Sequence, residues 1–208
     1  MFIKNIMTKN TVTVSPETSL AETLTLLRNQ DFEGVPVFDK SQGLCGVITI
    51  WDLLLAAADS EPSYMESTPV KELMTASVVT VEDEEIVEEA AYIMHKHDIN
   101  LLPVVDRVGN LVGILTEADL FSCFVSMLGL TEKGTRLTLQ VPNKVGQLAA
   151  VTAVIRNANV SIASLATFET DKSILDVVVR LKTIDAKPVV EALRNAGFRV
   201  IHVSQIWE

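Results

Sequence analysis

The sequence predicts a mixed α+β protein: two copies of one β-α-β-β-α unit, then a separate β-α-β-β-α-β domain. Three observations carry that expectation. A shift of about 67 residues lays the first two-thirds of the chain on itself without a gap. Within each copy, short β-rich runs alternate with segments of helical period. After about residue 130 the repeat loses register and a different order of elements begins.

The repeat is specific. IKNIMT (3–8) falls on VKELMT (70–75), VTV (12–14) on VTV (79–81), VPVFD (35–39) on LPVVD (102–106), and LCGVITIWDLL (44–54) on LVGILTEADLF (111–121). About a third of the positions between Lys4 and Leu53 are identical in the two copies. Each copy opens on VTV as a short strand. In copy one, Ser15, Pro16 and Glu17 have the form of a helix start, with Ser15 as N-cap and Pro16 in the first turn. The helices that follow are LAETLTLLRNQ and VEEAAYIMHKH, and the acidic run EDEE (82–85) suits the positive end of the second one's dipole. VPVF and LPVVD are strands, DKSQG and DRVGN polar turns, LCGVIT and LVGILT buried strands. TIWDLLLAAA and TEADLFSCFVSML close the copies as helices, with Thr49 and Thr116 as N-caps. Residues 59–68 (DSEPSYMEST) have a linker's composition, which divides the region into 1–58 and 69–130.

Beyond it, over 133–208, TRLTLQV alternates as a strand, PNKVG turns, and QLAAVTAVIRNAN is an amphipathic helix. VSIASLATFET and SILDVVVRLKT form a hairpin around Asp171 and Lys172. AKPVVEALRNAG is a second helix stopped by Gly197, and FRVIHVSQIW is the last strand. That order is the ferredoxin-like split.

At 208 residues the chain can form two compact units, and 48% of it is apolar. No stretch approaches the ~18 uninterrupted apolar residues of a membrane span, and MFIKNIMTKN lacks the apolar core of a secretory signal. These features predict a cytoplasmic protein that does not enter membranes. The formal net charge of −10 argues against nucleic acid, whose phosphates need clustered Lys and Arg. Cys45 and Cys123 sit in apolar stretches and read as buried free thiols. His95 and His97, two apart on a helix, point to different faces and cannot chelate one metal, and His202 reads as a structural strand residue. No metal is expected. Nor is an enzyme: no Gly-x-Ser-x-Gly elbow, Walker loop or GxGxxG is present, and neither cysteine neighbours a histidine.

Chemistry concentrates in GVITIWD (46–52) and GILTEAD (113–119). The glycine permits close backbone approach, and the Thr hydroxyl and free helix N–H groups can meet a phosphate. The Asp three residues on can accept from ribose hydroxyls. Thr-x-x-Asp is also a capping box in which the Asp only secures the helix start. Its occurrence at one place in both copies favours a ligand.

With these motifs, residues 1–127 resemble a tandem pair of CBS domains, a family whose pairs form a pseudo-two-fold module binding adenosyl compounds in clefts between the copies. The resemblance covers the VxxxMT lead-in, the xPV strand and the GxxTxxD junction. It implies that Thr49 and Thr116 face phosphate, that Asp52 and Asp119 hold ribose, and that the backbone around Val12, Val79, Pro36 and Pro103 frames the adenine. AMP, ADP, ATP and S-adenosylmethionine are the implied regulatory ligands, with no cofactor required. Trp51 and Ala118 stand where many members have an arginine, which favours a monophosphate or adenosine over a triphosphate. Leu101 replaces a small residue and would crowd one cleft.

The C-terminal region is similar to an ACT domain, in VPNKVGQLAAV (141–151) and NANVSIASL (157–165). Gly146 at a helix start could take an amino acid carboxylate, with Asn143, Leu148 and Asn159 around it. Such domains often bind amino acids where two copies meet, or simply dimerise. The domain order and length resemble the acetoin-utilisation protein B group. Together these resemblances imply a homodimeric nucleotide-sensing regulator in acetoin or carbon use. The alternative is a non-sensing dimeric scaffold for a partner enzyme.

Overall fold

The computed structural model describes residues 1–206, so Trp207, which the sequence places on the last strand, lies outside the described residues. The chain divides into two compact units, Met1–Phe121 and Ser122–Glu208.

In the first unit, α1 (Leu20–Gln30) leads into β1 (Gly34–Asp39) and β2 (Gly43–Thr49), an antiparallel pair followed by α2 (Ile50–Ala58) and the short α3 (Pro62–Ser67). The second copy repeats this with β3 (Val81–Glu82), α4 (Val87–His97), β4 (Leu101–Val105), β5 (Leu111–Thr116) and α5 (Glu117–Met127), whose residues from Ser122 onward belong to the second unit. Its sheet order is β3-β4-β5. The core repeats with the sequence: Val14, Leu20, Leu27, Val35, Val37, Ile48 and Leu53 are buried, and so are Val81, Val87, Met94, Leu102, Val104, Leu115 and Leu120 at the equivalent places. The segment 59–68, expected as a linker, carries α3, whose Met65 is buried in the first copy's core.

The two copies exchange their lead-in segments. Thr8 and Ile114 trade both backbone hydrogen bonds (2.9 and 3.0 Å), and Val47 and Thr75 do the same (3.0 and 2.9 Å). Likewise the helix-start amide of Leu20 donates to Thr68 and that of Val87 to Met1, both at 3.0 Å. Asn100 Nδ2 donates to Glu33 Oε2 at 3.4 Å, so equivalent residues of the two copies touch and mark a pseudo-two-fold axis. Each copy's outer strand, β2 or β5, is thereby bridged at one residue by the lead-in of its mate.

Local departures from expectation have plain causes. The α1 cap is Ser19, in a capping box with Glu22, not Ser15; Ser15 accepts from the Glu17 amide in the preceding turn. VTV gives a single bridge, Val14 to Val37, in copy one and a two-residue strand in copy two, because the chain leaves the sheet to reach the helix start. EDEE precedes α4 rather than opening it: Glu84 pairs with Lys4 at 3.3 Å and with Arg107, which hold its carboxyl below the usual range. His95 and His97 are exposed in the last turn of α4, where the helix dipole favours them.

The second unit contains β6 (Gly134–Pro142), α6 (Gln147–Asn157), β7 (Ile162–Asp171), β8 (Ile174–Leu181), α7 (Lys187–Asn195) and β9 (Arg199–Ile206). Its antiparallel sheet has the order β7-β8-β6-β9, with the hairpin at Asp171 and Lys172 as expected. Leu137, Leu139, Val141, Val177, Val179 and Leu181 are buried in one cluster with Val151 and Ile155 of α6 and Val189 and Leu193 of α7. Strand alternation puts Arg136, Thr138, Asp176, Val178 and Arg180 on the other face. His202, opposite Thr138, is exposed there rather than packed. Among the described residues no helix is long and apolar enough to cross a membrane, and there is no metal-binding cluster of His, Cys, Asp and Glu.

Candidate functional site

Both Thr-x-x-Asp junctions form the same closed arrangement. At the start of α5, the Thr116 amide and hydroxyl both donate to Asp119 Oδ2 (2.9 and 2.8 Å), and the Asp119 amide donates back to Thr116 Oγ1 at 3.2 Å. At α2, Thr49 and Asp52 repeat it at 2.9, 2.7 and 3.3 Å. The capping box is therefore real. In each case only Oδ2 is engaged, so the cap fixes the carboxylate while Oδ1 stays available to a hydroxyl.

The motif glycines permit close approach, and what approaches each of them is the lead-in segment of the other copy. A Cβ on Gly113 would lie 2.7 Å from Met7 Sδ and 2.9 Å from Thr8 O; one on Gly46 would overlap Met74 Sδ and lie 2.9 Å from its Cγ. The space they leave is filled by the lead-in methionine of the other copy.

A cleft of about 250 Å³ opens beside the α5 junction. One wall is copy one's lead-in (Thr8, Asn10, Thr11 and Val12) and the stretch Asp31–Val35; the other is Leu101, Ile114, Thr116 and Ala118 of copy two. Of the expected residues, Thr116 and Val12 line it. Asp119 stands behind Thr116 through the cap. Pro36 and Pro103 are buried inside β1 and β4, at equivalent places. Thr49, Asp52 and Val79 are half-buried and belong to the equivalent position on the other side of the pseudo-axis. Leu101 is buried and lines this cleft, its Cδ1 3.2 Å from where a Gly34 side chain would begin; Gly34 is its counterpart in copy one.

Sequence reasoning missed Thr8, Asn10, Thr11 and Asp31–Val35. Asp31 caps α1 in the left-handed region (φ 57°), as Asp98 caps α4 (φ 53°), and Asn10 is left-handed too (φ 55°). The identity of Asp31 with Asp98 and of Thr8 with Thr75 across the repeat was the available signal. Two features give the cleft its chemistry. Thr11 Oγ1 is buried with no hydrogen-bond partner among the described residues. The lining contains Asp31 and Glu33 and no Lys or Arg.

In the second unit, Gly146 (φ 88°) is the left-handed N-cap of α6, next to the partly exposed Leu148. Asn143 Nδ2 donates to Glu169 Oε1 at 2.7 Å. Asn159 lies past the other end of α6, which at ~1.5 Å per residue separates it from Gly146 by roughly 16–20 Å. It lines an open hollow of about 490 Å³ with Thr152, Arg156 and Ser161. One protomer thus does not bring Asn143 and Asn159 together. Cys45 and Cys123 are in no disulfide, and burial, with Asp39 nearby, pushes the Cys45 thiol up, away from nucleophilic use.

The CBS domain family matches residues 3–59 and 70–126, and the ACT domain family residues 135–198. Among solved structures, the CBS domain pair of protein MJ0100 in complex with 5′-methylthioadenosine and S-adenosyl-L-methionine is 31% identical, covering 60% of this chain and 95% of that one (TM-score 0.54). CBSX2 of Arabidopsis thaliana in complex with AMP is 32% identical, covering 60% and 96% (TM-score 0.52). A protein from Vibrio cholerae described as an acetoin utilization protein is 31% identical, covering 63% and 95% (TM-score 0.55). The chain spans only about a quarter of the curated enzymes it matches, such as 23% of the L-aspartate semialdehyde sulfurtransferase of Methanocaldococcus jannaschii, 31% identical over 122 residues.

Proposed function

The chain belongs to the CBS domain family, with an ACT domain behind its paired repeats, and on that premise we propose that it is a non-enzymatic regulator that senses an adenosyl compound. The observation that carries the reading is the cleft whose two walls come from different copies. A ligand seated there touches Val12 and Thr11 on one side and Ile114 and Thr116 on the other. Val12, Val35, Leu101 and Ile114 suit an adenine ring, the orphan Thr11 hydroxyl gains a partner, and Asp119, capped onto the cleft residue Thr116, would offer Oδ1 to a ribose hydroxyl. Such a ligand shifts the packing of the copies only by its difference in affinity for the two arrangements.

The lining charge orders the ligands. Asp31 and Glu33 repel added phosphates, and Ala118 supplies no countercharge. Titration calorimetry is expected to rank S-adenosylmethionine and 5′-methylthioadenosine at or above AMP, with ATP about tenfold weaker than AMP, or about 1.4 kcal/mol. Heat from none of them would remove the sensing role and leave the scaffold reading. Likeness to ligand-bound CBS pairs supports the first reading; likeness to the Vibrio cholerae protein supports a place in acetoin or related carbon use.

The ACT unit completes the proposal as a homodimer. Because Gly146 and Asn159 lie at opposite ends of α6, an amino acid site using both draws one end from each protomer. Sedimentation equilibrium is expected to give twice 22.7 kDa; a monomer mass would exclude this arrangement.

A further inference from the structure

We propose that the open face of the β7-β8-β6-β9 sheet binds a small dianionic oxyanion, a phosphate or a dicarboxylate, on the cross-strand row Ser164, Arg180, Arg136 and Ser204. The register builds the row. Arg136 on β6 is opposite Arg180 on β8 and Ser204 on β9, and Ser164 on β7 is opposite Arg180. The neighbours Leu137, Val179 and Leu181 are buried in the helix-side core, so the row points the other way.

Four donors in line, two of them cationic, are an unfavourable pairing without an anion, since like charges directly opposite on a sheet repel. Among the described residues, no ion pair supplies the countercharge. The ion pairs of the described residues are Lys4 with Glu84, Lys71 with Glu17, Arg107 with Glu84, and Lys182 with Glu132. Asp176 shares the face but lies four residues back along β8, about 13 Å at ~3.3 Å per residue. Its own Oδ1 is buried and unpartnered.

The arginines are nonetheless held in place. Arg136 Nη1 donates to Thr138 Oγ1 at 2.8 Å. The turn at Gly129 closes over Arg180: Ser164 Oγ donates to Leu128 O at 2.7 Å, and a Cβ on Gly129 would lie 3.5 Å from Arg180 Cδ. Arg180 Nη1 is buried with no partner among the described residues. Burial and the adjacent Arg136 charge push the Arg180 guanidinium below its usual range. Two fixed forks with an unused buried donor match an oxyanion with several acceptor oxygens, and two charges suit a dianion.

The test is thermal melting of the full chain in phosphate, succinate or chloride at matched ionic strength. The wild type is expected to show a saturable rise of several degrees in phosphate or succinate over chloride, and the effective salt identifies the source. Arg180→Met should abolish the rise, while the exposed Arg107→Met keeps it. Ser204→Ala, which leaves both arginines in place, should raise the half-saturating concentration several-fold. No rise beyond chloride, or a rise that survives Arg180→Met, overturns the proposal.

Discussion

Replacing Gly113 with alanine is expected to destabilise the CBS pair by about 2 kcal/mol, within the ~1–3 kcal/mol typical of overpacked cores. For a unit of this size that is a drop of roughly 6–12 °C in the melting midpoint. The added methyl would meet Met7 Sδ at 2.7 Å and Thr8 O at 2.9 Å. A thioether can swing away. The Thr8 carbonyl cannot, because it accepts the Ile114 amide at 3.0 Å in the bridge joining the two copies. Gly46→Ala provides the control. Its three nearest neighbours all belong to the flexible Met74 side chain, so it should cost less than Gly113→Ala. Calorimetric scans of both variants decide this; an equal or larger loss for Gly46→Ala would show that the lead-in exchange is not what the glycine protects.

Asp119→Asn is expected to weaken adenosyl ligand binding by about 10- to 150-fold, the equivalent of ~1.5–3 kcal/mol for a hydrogen bond to a charged group. The asparagine oxygen can still accept from the Thr116 amide and hydroxyl, so the cap and the fold survive. The Oδ1 position becomes a donor facing ribose hydroxyls, or a neutral acceptor if the amide turns. Asp119→Ala also loses the cap, at about 1 kcal/mol. Asp52→Asn makes the same change at α2, away from the cleft that Thr116 lines, and should leave affinity within about twofold of wild type. Wild-type binding by Asp119→Asn would reduce Asp119 to a capping residue.

The helices α1 and α4 were legible to the residue, since each is an uninterrupted amphipathic segment between polar turns. The cap of α1 was not. Ser15 and Ser19 both precede a glutamate at a plausible spacing, and only Ser19 has the Glu22 carboxylate that returns to its amide. The repeat announced the architecture and the Thr-Asp junctions, and of the two readings of those junctions the geometry shows the cap, through Oδ2, while ligand contact through Oδ1 is part of the proposal. The exchange of lead-in segments had no local signature. It pairs Thr8 with Ile114 across more than a hundred residues, and period and propensity describe only near neighbours. For the same reason Asp31–Val35 looked like a helix end and a strand start, although they form a cleft wall. In the ACT unit nothing in the sequence marked its candidate residues as standing apart, which they do because α6 lies between Gly146 and Asn159.

The most direct test is a crystal structure of the full chain grown with S-adenosylmethionine. The adenine is expected between Val12 and Ile114, with a ribose hydroxyl within hydrogen-bond reach of Asp119 Oδ1. A ligand bound elsewhere on the first unit, or an empty cleft in crystals from a solution in which calorimetry records saturation, would contradict it.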